Sequence, residues 1–207
     1  MSHEIYIFGS ITRGEVNSSS DTDILVIPLD GESKQAYPSN WSYYTKDILN
    51  KMHKDGRLFS WHLYLDAKCI YTPKATPLLF EMGRPSSYKT AKEDIDDLSY
   101  LLNQSMESLQ NNTFNQIYEI GIVHTCLRDI AMSASWWLFE RPCFSIYAPY
   151  QIGIPLPINK ETYRKLISAR HNSTRGITSN FDWKLVVEEL LTSSICKWVS
   201  DVKRVCV

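Results

Sequence analysis

The sequence predicts an α+β protein, in which a small mixed sheet with helices over residues 1–85 precedes an α-helical bundle over residues 86–207. Two observations lead to this prediction. Short β-prone segments separated by polar loops occupy the first third of the chain, and apolar residues at helical spacing occupy the rest. A chain of 207 residues is long enough for one sizeable core or two small ones.

Two β-prone segments open the chain. Residues Glu4 to Phe8 alternate in polarity and stop at Gly9-Ser10, and a polar loop follows from Gly14 to Ser20. Asp23 to Pro28 then contains four consecutive apolar residues, which is typical of a strand that is buried on both faces. The sequence therefore predicts two strands joined by a loop rich in Gly, Asn and Ser.

The next segments complete the predicted sheet domain. Tyr43 to His53 carries apolar residues at helical spacing, and Gly56 is suited to the end of that helix. Arg57 to Leu65 alternates as a strand does, and Lys68 to Tyr71 forms a further short strand before Pro73.

Long apolar stripes predict helices in the remainder. Asn159 and Asp182 are residue types that commonly begin a helix. The predicted helices are Lys89 to Leu109, Phe114 to Phe139, a third from Asn159 to about Arg170, and a last one from Asp182 through Val199, with a proline-rich connector over residues 142–157.

Composition predicts an ordinary soluble, cytoplasmic protein without membrane contact. The net charge of −1 gives no overall attraction to nucleic acid, and no apolar run approaches the roughly 20 residues of a membrane span. The five cysteines form no CxxC pair, which excludes the usual zinc and disulfide patterns. We expect reduced, mostly buried cysteines, with Cys206 exposed near the C-terminus.

Asp21 and Asp23 are the residues that most directly indicate chemistry. Side chains two apart on a strand point to the same face, so the two carboxylates are expected to lie side by side. Adjacent negative charges repel each other unless a cation lies between them. Mg²⁺ accepts carboxylate and triphosphate oxygens together, so the pair predicts a magnesium site for a nucleoside triphosphate (NTP).

The turn before this pair has the residues that phosphate binding needs. Gly9 allows close approach of the backbone, and the Ser10 hydroxyl and nearby N–H groups can donate to phosphate oxygens. Arg13, three residues further on, is a candidate partner for the β or γ phosphate.

The pattern Gly9-Ser10, ten residues, Asp21-Thr22-Asp23, flanked by two strands, resembles the DNA polymerase β-type nucleotidyltransferase superfamily. Its short form is similar to the minimal nucleotidyltransferases, and the α/β order extends the likeness to about residue 70. The resemblance implies Mg²⁺-dependent transfer of a nucleoside monophosphate from an NTP to an acceptor hydroxyl. Minimal members include antitoxins that modify a partner protein, and relatives with a helical domain modify tRNA or aminoglycosides.

The sequence departs from that superfamily at the third carboxylate, which usually lies on a later strand. The strand predicted to match it places Ser60, His62, Tyr64 and Asp66 on one face. His62, at the expected position, is a candidate metal ligand or general base, or it packs beside Tyr64. Asp66, at the strand end, is the candidate third metal ligand.

The helical half offers weaker signals. His124 and Arg128 share one helix face, and because no His follows Arg128 at the spacing of a HEPN ribonuclease, we predict no such activity. We expect His124 to be a partly buried, hydrogen-bonded core residue. Trp136-Trp137 suits the connector or a homodimer interface. A basic segment forms either a phosphate or acceptor contact or a solvated helix face, and its members are Arg164, Lys165, Arg170 and Arg175 with Gly176.

The leading hypothesis is transfer to RNA or to a partner protein, in a toxin–antitoxin or phage-defence setting. A second hypothesis is modification of a small hydroxylated compound of the aminoglycoside kind. A third is a regulatory module that binds a nucleotide or a partner without turnover.

Overall fold

The structure, a computed structural model, describes residues 2–16, 21–30, 37–176 and 180–206. Part of the predicted loop from Gly14 to Ser20 and the side chain of Arg175 lie outside the described residues. The chain divides into two compact units, Met1–Lys89 and Thr90–Val207. Each unit has its own secondary structure, and the first contains the sheet.

The first unit is built on a four-stranded mixed sheet. Its strands are β1 (His3–Phe8), β2 (Asp23–Pro28), β3 (Ser42–Tyr43) and β4 (Lys68–Tyr71), in the order β3-β2-β1-β4. β1 runs antiparallel to β2 and β4, and β2 runs parallel to β3. With the helices described below, this sheet confirms the predicted α+β class.

One face of the sheet forms the core of the first unit. Tyr6 lies opposite Leu25 in the register of β1 and β2, and both side chains are buried. Three helices supply apolar residues to the same core: α1 (Lys46–Lys54), α2 (Leu58–Asp66) and α3 (Leu78–Met82). Leu25, Leu49 and Leu63 lie together in this core and join the sheet to its helices. Full burial of one aliphatic side chain stabilises the folded state by roughly 1.5–3 kcal/mol.

The strand predicted over Arg57 to Leu65 is wrong, because these residues form helix α2. The segment is apolar on nearly every side, and a short run of this kind fits a strand or a buried helix equally well. Because this segment is helical, Ser60, His62, Tyr64 and Asp66 do not share one face as they would on a strand. The helix instead aligns His62 with Asp66, four residues later, while Tyr64 is half exposed.

The helix predicted from Tyr43 begins only at Lys46, because Ser42 and Tyr43 pair with β2 as strand β3. Thr45 caps the helix by accepting a hydrogen bond from the backbone N–H of Ile48 at 3.4 Å. Gly56 follows the helix at φ +65°, and a Cβ there would lie 2.1 Å from the carbonyl oxygen of Ser87. That position therefore requires glycine.

The second unit contains five helices among the residues that the structure describes. They are α4 (Ala91–Gln110), α5 (Gln116–Phe139), α6 (Lys160–Arg175), α7 (Trp183–Thr192) and α8 (Ile195–Val205). α5 is the central helix and contacts α4, α6, α7 and α8. The single last helix predicted from Asp182 is wrong, since extended backbone at Ser193 (ψ 157°) separates α7 from α8.

Two expectations for side chains of this unit are also wrong. His124 is buried, and neither ring nitrogen has a hydrogen-bond partner among the residues that the structure describes. Burial, with the nearby charges of Arg128 and Arg170, lowers the pKa of His124 to about 3. Cys206 is buried rather than exposed, because it packs at the end of α8, whereas Cys196 is exposed. No helix among the described residues has the length and apolar character needed to cross a membrane.

Candidate functional site

Asp21 and Asp23 lie where β2 begins, and both are exposed. Asp23 is the first residue of the strand and pairs with Phe8, the last residue of β1. Asp21 precedes the strand by two residues. The two carboxylates therefore mark one end of the central strand pair, next to the turn that begins at Gly9.

Gly9 makes room for the Asp23 carboxylate. A Cβ at position 9 would lie 2.2 Å from Oδ2 of Asp23, far closer than real atoms approach, and the backbone there has φ +81°. Both the conformation and the contact require glycine. The fold thus brings together Gly9 and Asp23, which the sequence separates by thirteen residues.

The turn after Gly9 is compact. Residues Gly9–Ile11 form a short 3-10 helix, and the Thr12 hydroxyl donates to the Gly9 carbonyl at 2.9 Å. The backbone N–H of Glu15 donates to the Ser10 carbonyl at 2.9 Å. These bonds fix Arg13 and Glu15 beside Ser10.

A charged cluster joins this turn to helix α2. The Arg13 guanidinium donates from Nη1 to Oδ2 of Asp66 at 2.5 Å and from Nε to Oε2 of Glu15 at 3.2 Å. Nε2 of His62 lies 3.1 Å from the same Asp66 oxygen and 3.3 Å from Nη1 of Arg13. Burial alone would raise the pKa of Asp66, but the hydrogen bonds from His62 and Arg13 outweigh it and lower that pKa.

Phe8 connects the cluster with the carboxylate pair. Its ring meets the His62 ring edge to face, with centroids 5.3 Å apart, and in β1 it lies directly opposite Asp23. Residues opposite each other in an antiparallel pair project on the same side of the sheet. His62, Asp66 and Arg13 therefore neighbour the Asp23 end of the sheet on its helix-covered side.

Two carboxylates are the donor set that the structure offers to a metal here. Strand β4, which pairs with β1, carries Lys68, Cys69, Ile70 and Tyr71, none of them acidic. Among the described residues, no group of three or more His, Cys, Asp or Glu side chains is arranged to hold a metal. Exposed carboxylate oxygens beside a glycine-cleared backbone nevertheless suit a hard cation that keeps water and phosphate ligands.

Sequence reasoning missed Glu15 and the true partners of Asp66. The Arg13-Gly14-Glu15 spacing is a local signal for an ion pair in a turn, but it is common in loops and has little specificity. The link from Arg13 to Asp66 spans 53 positions in the sequence and depends on α2 being a helix.

The predicted basic segment lies on α6 of the second unit. Lys165 pairs with Glu161 at 3.7 Å, Arg164 is exposed, and Arg170 is half-buried. A partly exposed pair of this kind contributes little to stability. The exposure of Arg164 fits both alternatives, so a phosphate or acceptor contact by this segment stays a prediction.

Comparison with known proteins gives a family match and several matches to solved structures. The sequence model of the family described as "Nucleotidyltransferase domain" matches residues 2–103, which span the first unit and part of α4. Among solved structures, a nucleotidyltransferase-like protein from Exiguobacterium sibiricum 255-15 is similar over 98% of this chain and 68% of its own, at 12% identity and a TM-score of 0.40. No curated protein matches the sequence significantly.

Proposed function

We propose that this chain, whose residues 2–103 belong to the nucleotidyltransferase domain family, transfers a nucleoside monophosphate from an NTP to an acceptor hydroxyl in a Mg²⁺-dependent reaction. The observation that carries the proposal is the seating of the Asp23 carboxylate against Gly9 at the exposed end of β1 and β2. A buried strand that begins at exposed carboxylates, beside a backbone cleared by glycine, suits a metal-bound triphosphate.

Asp21 and Asp23 would hold the Mg²⁺ ion. When bound, the ion would supply positive charge against the negative charge that develops on the phosphates during in-line displacement. Both carboxylates are exposed, so a hydrated ion that already carries the triphosphate can reach them.

Gly9 and Ser10 would contact the phosphates. The Ser10 side chain is half-buried on the compact turn, where its hydroxyl and the adjacent backbone N–H groups are potential donors. Arg13 lies on the same turn and would add a charge-assisted hydrogen bond to the β or γ phosphate.

His62 and Asp66 would activate the acceptor hydroxyl. His62 is the proposed general base, and Asp66, 3.1 Å from its Nε2, would orient the ring. With Nε2–H donating to Asp66, Nδ1 would take the proton of the acceptor hydroxyl. A role of Asp66 as third metal ligand is the alternative, and it would use the carboxylate whose Oδ2 accepts from Arg13.

The acceptor that we propose is RNA or a partner protein, as in toxin–antitoxin or phage-defence systems. This part rests on the resemblance of the Gly9-Ser10 and Asp21-Thr22-Asp23 motif to minimal nucleotidyltransferases. Transfer to a small hydroxylated compound is a distinct outcome of the test below.

The test is label transfer from each α-labelled NTP, with Mg²⁺ and cell extract, into RNA, protein or small molecules. We expect label in RNA or protein with the wild-type chain, and none with Asp21→Asn/Asp23→Asn. Glu93→Gln/Asp97→Asn, which removes two exposed acids of α4, is the matched control and should behave as wild type. Label that persists in the Asp21/Asp23 variant would contradict the metal assignment, and label in small molecules would replace the proposed acceptor.

A further inference from the structure

The Arg13 guanidinium is enclosed by two carboxylates that come from different elements. Glu15 lies on the same turn, and Asp66 lies at the end of α2. Nε and Nη1 donate to these carboxylates, whereas Nη2 has no hydrogen bond to any residue that the structure describes. One edge of the guanidinium is therefore still available to a further acceptor.

The net charge of Arg13, Glu15 and Asp66 does not favour the binding of an anion. Arg13 contributes one positive charge, and Glu15 and Asp66 each contribute one negative charge, so the three sum to −1. The lowered pKa of Asp66, which follows from the bonds of His62 and Arg13 despite burial, keeps that carboxylate ionised at neutral pH. An arginine neutralised in this way attracts a triphosphate less than a solvated arginine does.

The two ion pairs differ in burial. The side chains of Arg13 and Asp66 are 19% and 9% exposed, whereas that of Glu15 is 27% exposed. A more exposed pair is more strongly screened by water, so the Glu15 contact is the weaker of the two. Glu15 is also the contact that can be removed with the smaller effect on folding.

We propose that Glu15 and Asp66 are positioning residues that set the NTP affinity of the site by competing with the triphosphate for Arg13. This inference rests on the proposed function, because it takes the phosphates to bind at Gly9 and Ser10. A phosphate oxygen that binds at Nη2 shares the guanidinium charge with both carboxylates, with no covalent change. This competition weakens binding of the nucleotide and of the pyrophosphate product.

The inference predicts that removal of a negative charge tightens binding. Glu15→Gln is expected to lower the dissociation constant of the Mg²⁺ complex by about threefold to fivefold, which corresponds to a partly exposed ion pair. Asp66→Asn is expected to tighten binding as well. Glu81→Gln removes an exposed acid of the same unit and should have no effect.

The experiment is isothermal titration calorimetry with Mg²⁺ and each of the four α,β-methylene nucleoside triphosphates, using the full chain. A second arm repeats Glu15→Gln in an Arg13→Gln background, where no competition for arginine remains, and there the substitution should change nothing. Thermal melting of each variant checks that it is folded. This double-mutant cycle separates competition for Arg13 from a general change in surface charge.

Each outcome decides the inference. Tighter binding by Glu15→Gln that disappears without Arg13 supports it. Unchanged or weaker binding by a folded Glu15→Gln, or equal tightening in both backgrounds, overturns it while the proposed function stands. Weaker binding by Asp66→Asn would assign Asp66 to the metal and remove it from this role. A wild-type chain that binds none of the four analogues overturns the inference and the proposed function together.

Discussion

Carboxylates at opposite ends of the central strand pair have opposite environments. Glu4, at the start of β1, is fully buried, and it accepts hydrogen bonds from the Thr72 hydroxyl at 2.8 Å and the Leu78 backbone N–H at 2.9 Å. The Tyr6 hydroxyl also donates to Glu4. Asp23, at the other end of the pair, is exposed beside Gly9.

The difference shows how one sheet uses acids for folding and for chemistry. Glu4 accepts hydrogen bonds from β1, from the segment after β4 and from the start of α3, so this carboxylate joins three parts of the unit. Burial and the Glu4 carboxylate raise the pKa of Tyr6, which keeps that hydroxyl a donor. Asp21 and Asp23 instead lie at the surface, where a metal-bound ligand can approach.

The largest expected effect follows from removing the two carboxylates at the exposed end of the β1–β2 pair. Asp21→Asn/Asp23→Asn should reduce nucleotidyl transfer by roughly 100-fold or more, because the metal loses both proposed ligands. Thermal stability should change little, since exposed acids contribute little to the folded state. Steady-state rates and melting curves of the same preparations measure both quantities, and a folded variant with wild-type rates would contradict the assignment.

Gly9→Ala tests the contact between Gly9 and Asp23. The new Cβ would overlap Oδ2 of Asp23, and a displacement of about 1 Å at a catalytic group lowers the rate by about 100-fold. Gly14→Ala is the matched control, because Gly14 also has a positive φ (+72°) but a Cβ there meets nothing within 4 Å. Equal losses in both variants would show that backbone strain, rather than the Asp23 contact, is responsible.

Glu4→Gln tests the buried carboxylate at the other end of the β1–β2 pair. The amide cannot accept from all three donors as the carboxylate does, so the free energy of unfolding should fall by about 2–4 kcal/mol. Transfer activity per folded molecule should not change. Urea denaturation measures the first quantity, and Tyr6→Phe, which removes one of the three donors to Glu4 and the acceptor of the Leu79 N–H, should have a smaller effect. A large loss of activity without a loss of stability would contradict the division of roles.

Asp66→Asn should give the smallest effect, and one that depends on pH. A pKa lowered in the folded state adds stability above the unfolded value of about 3.9, and this stability is lost as the pH falls through the folded value. The variant should therefore lose about 1–2 kcal/mol at pH 7 and progressively less in acid. Denaturation at several pH values measures the trend, and a loss that does not depend on pH would point to packing instead.

The sequence predicted the strands β1 and β2, and it offered Gly9 and Asp23 as candidate site residues, because turn chemistry and the acidic pair are local signals. Which face of β1 is buried could not be predicted, since Ile5 and Ile7 alternate with Glu4, Tyr6 and Phe8. The structure buries the second set, including an acid, because its donors come from distant segments.

Helix α2 and its cluster could not be predicted for a different reason. Its nine residues are too short and too uniformly apolar for periodicity to distinguish a helix from a strand. A strand over this segment predicts Asp66 beside a metal, whereas helix α2 places it against Arg13. The division of the last helix at Ser193 likewise lacks a glycine or proline that would indicate it.

Paramagnetic broadening by Mn²⁺, which replaces Mg²⁺ at oxygen sites, tests whether the metal binds at Asp21 and Asp23. In ¹H–¹⁵N spectra of the chain with an α,β-methylene NTP, traces of Mn²⁺ should first broaden the amides of Gly9, Ser10, Asp21 and Asp23. The amides of Glu4 and Thr72, at the opposite end of the sheet, should stay sharp. Broadening that centres on Glu4, or that is uniform over the chain, would contradict a metal site at Asp21 and Asp23.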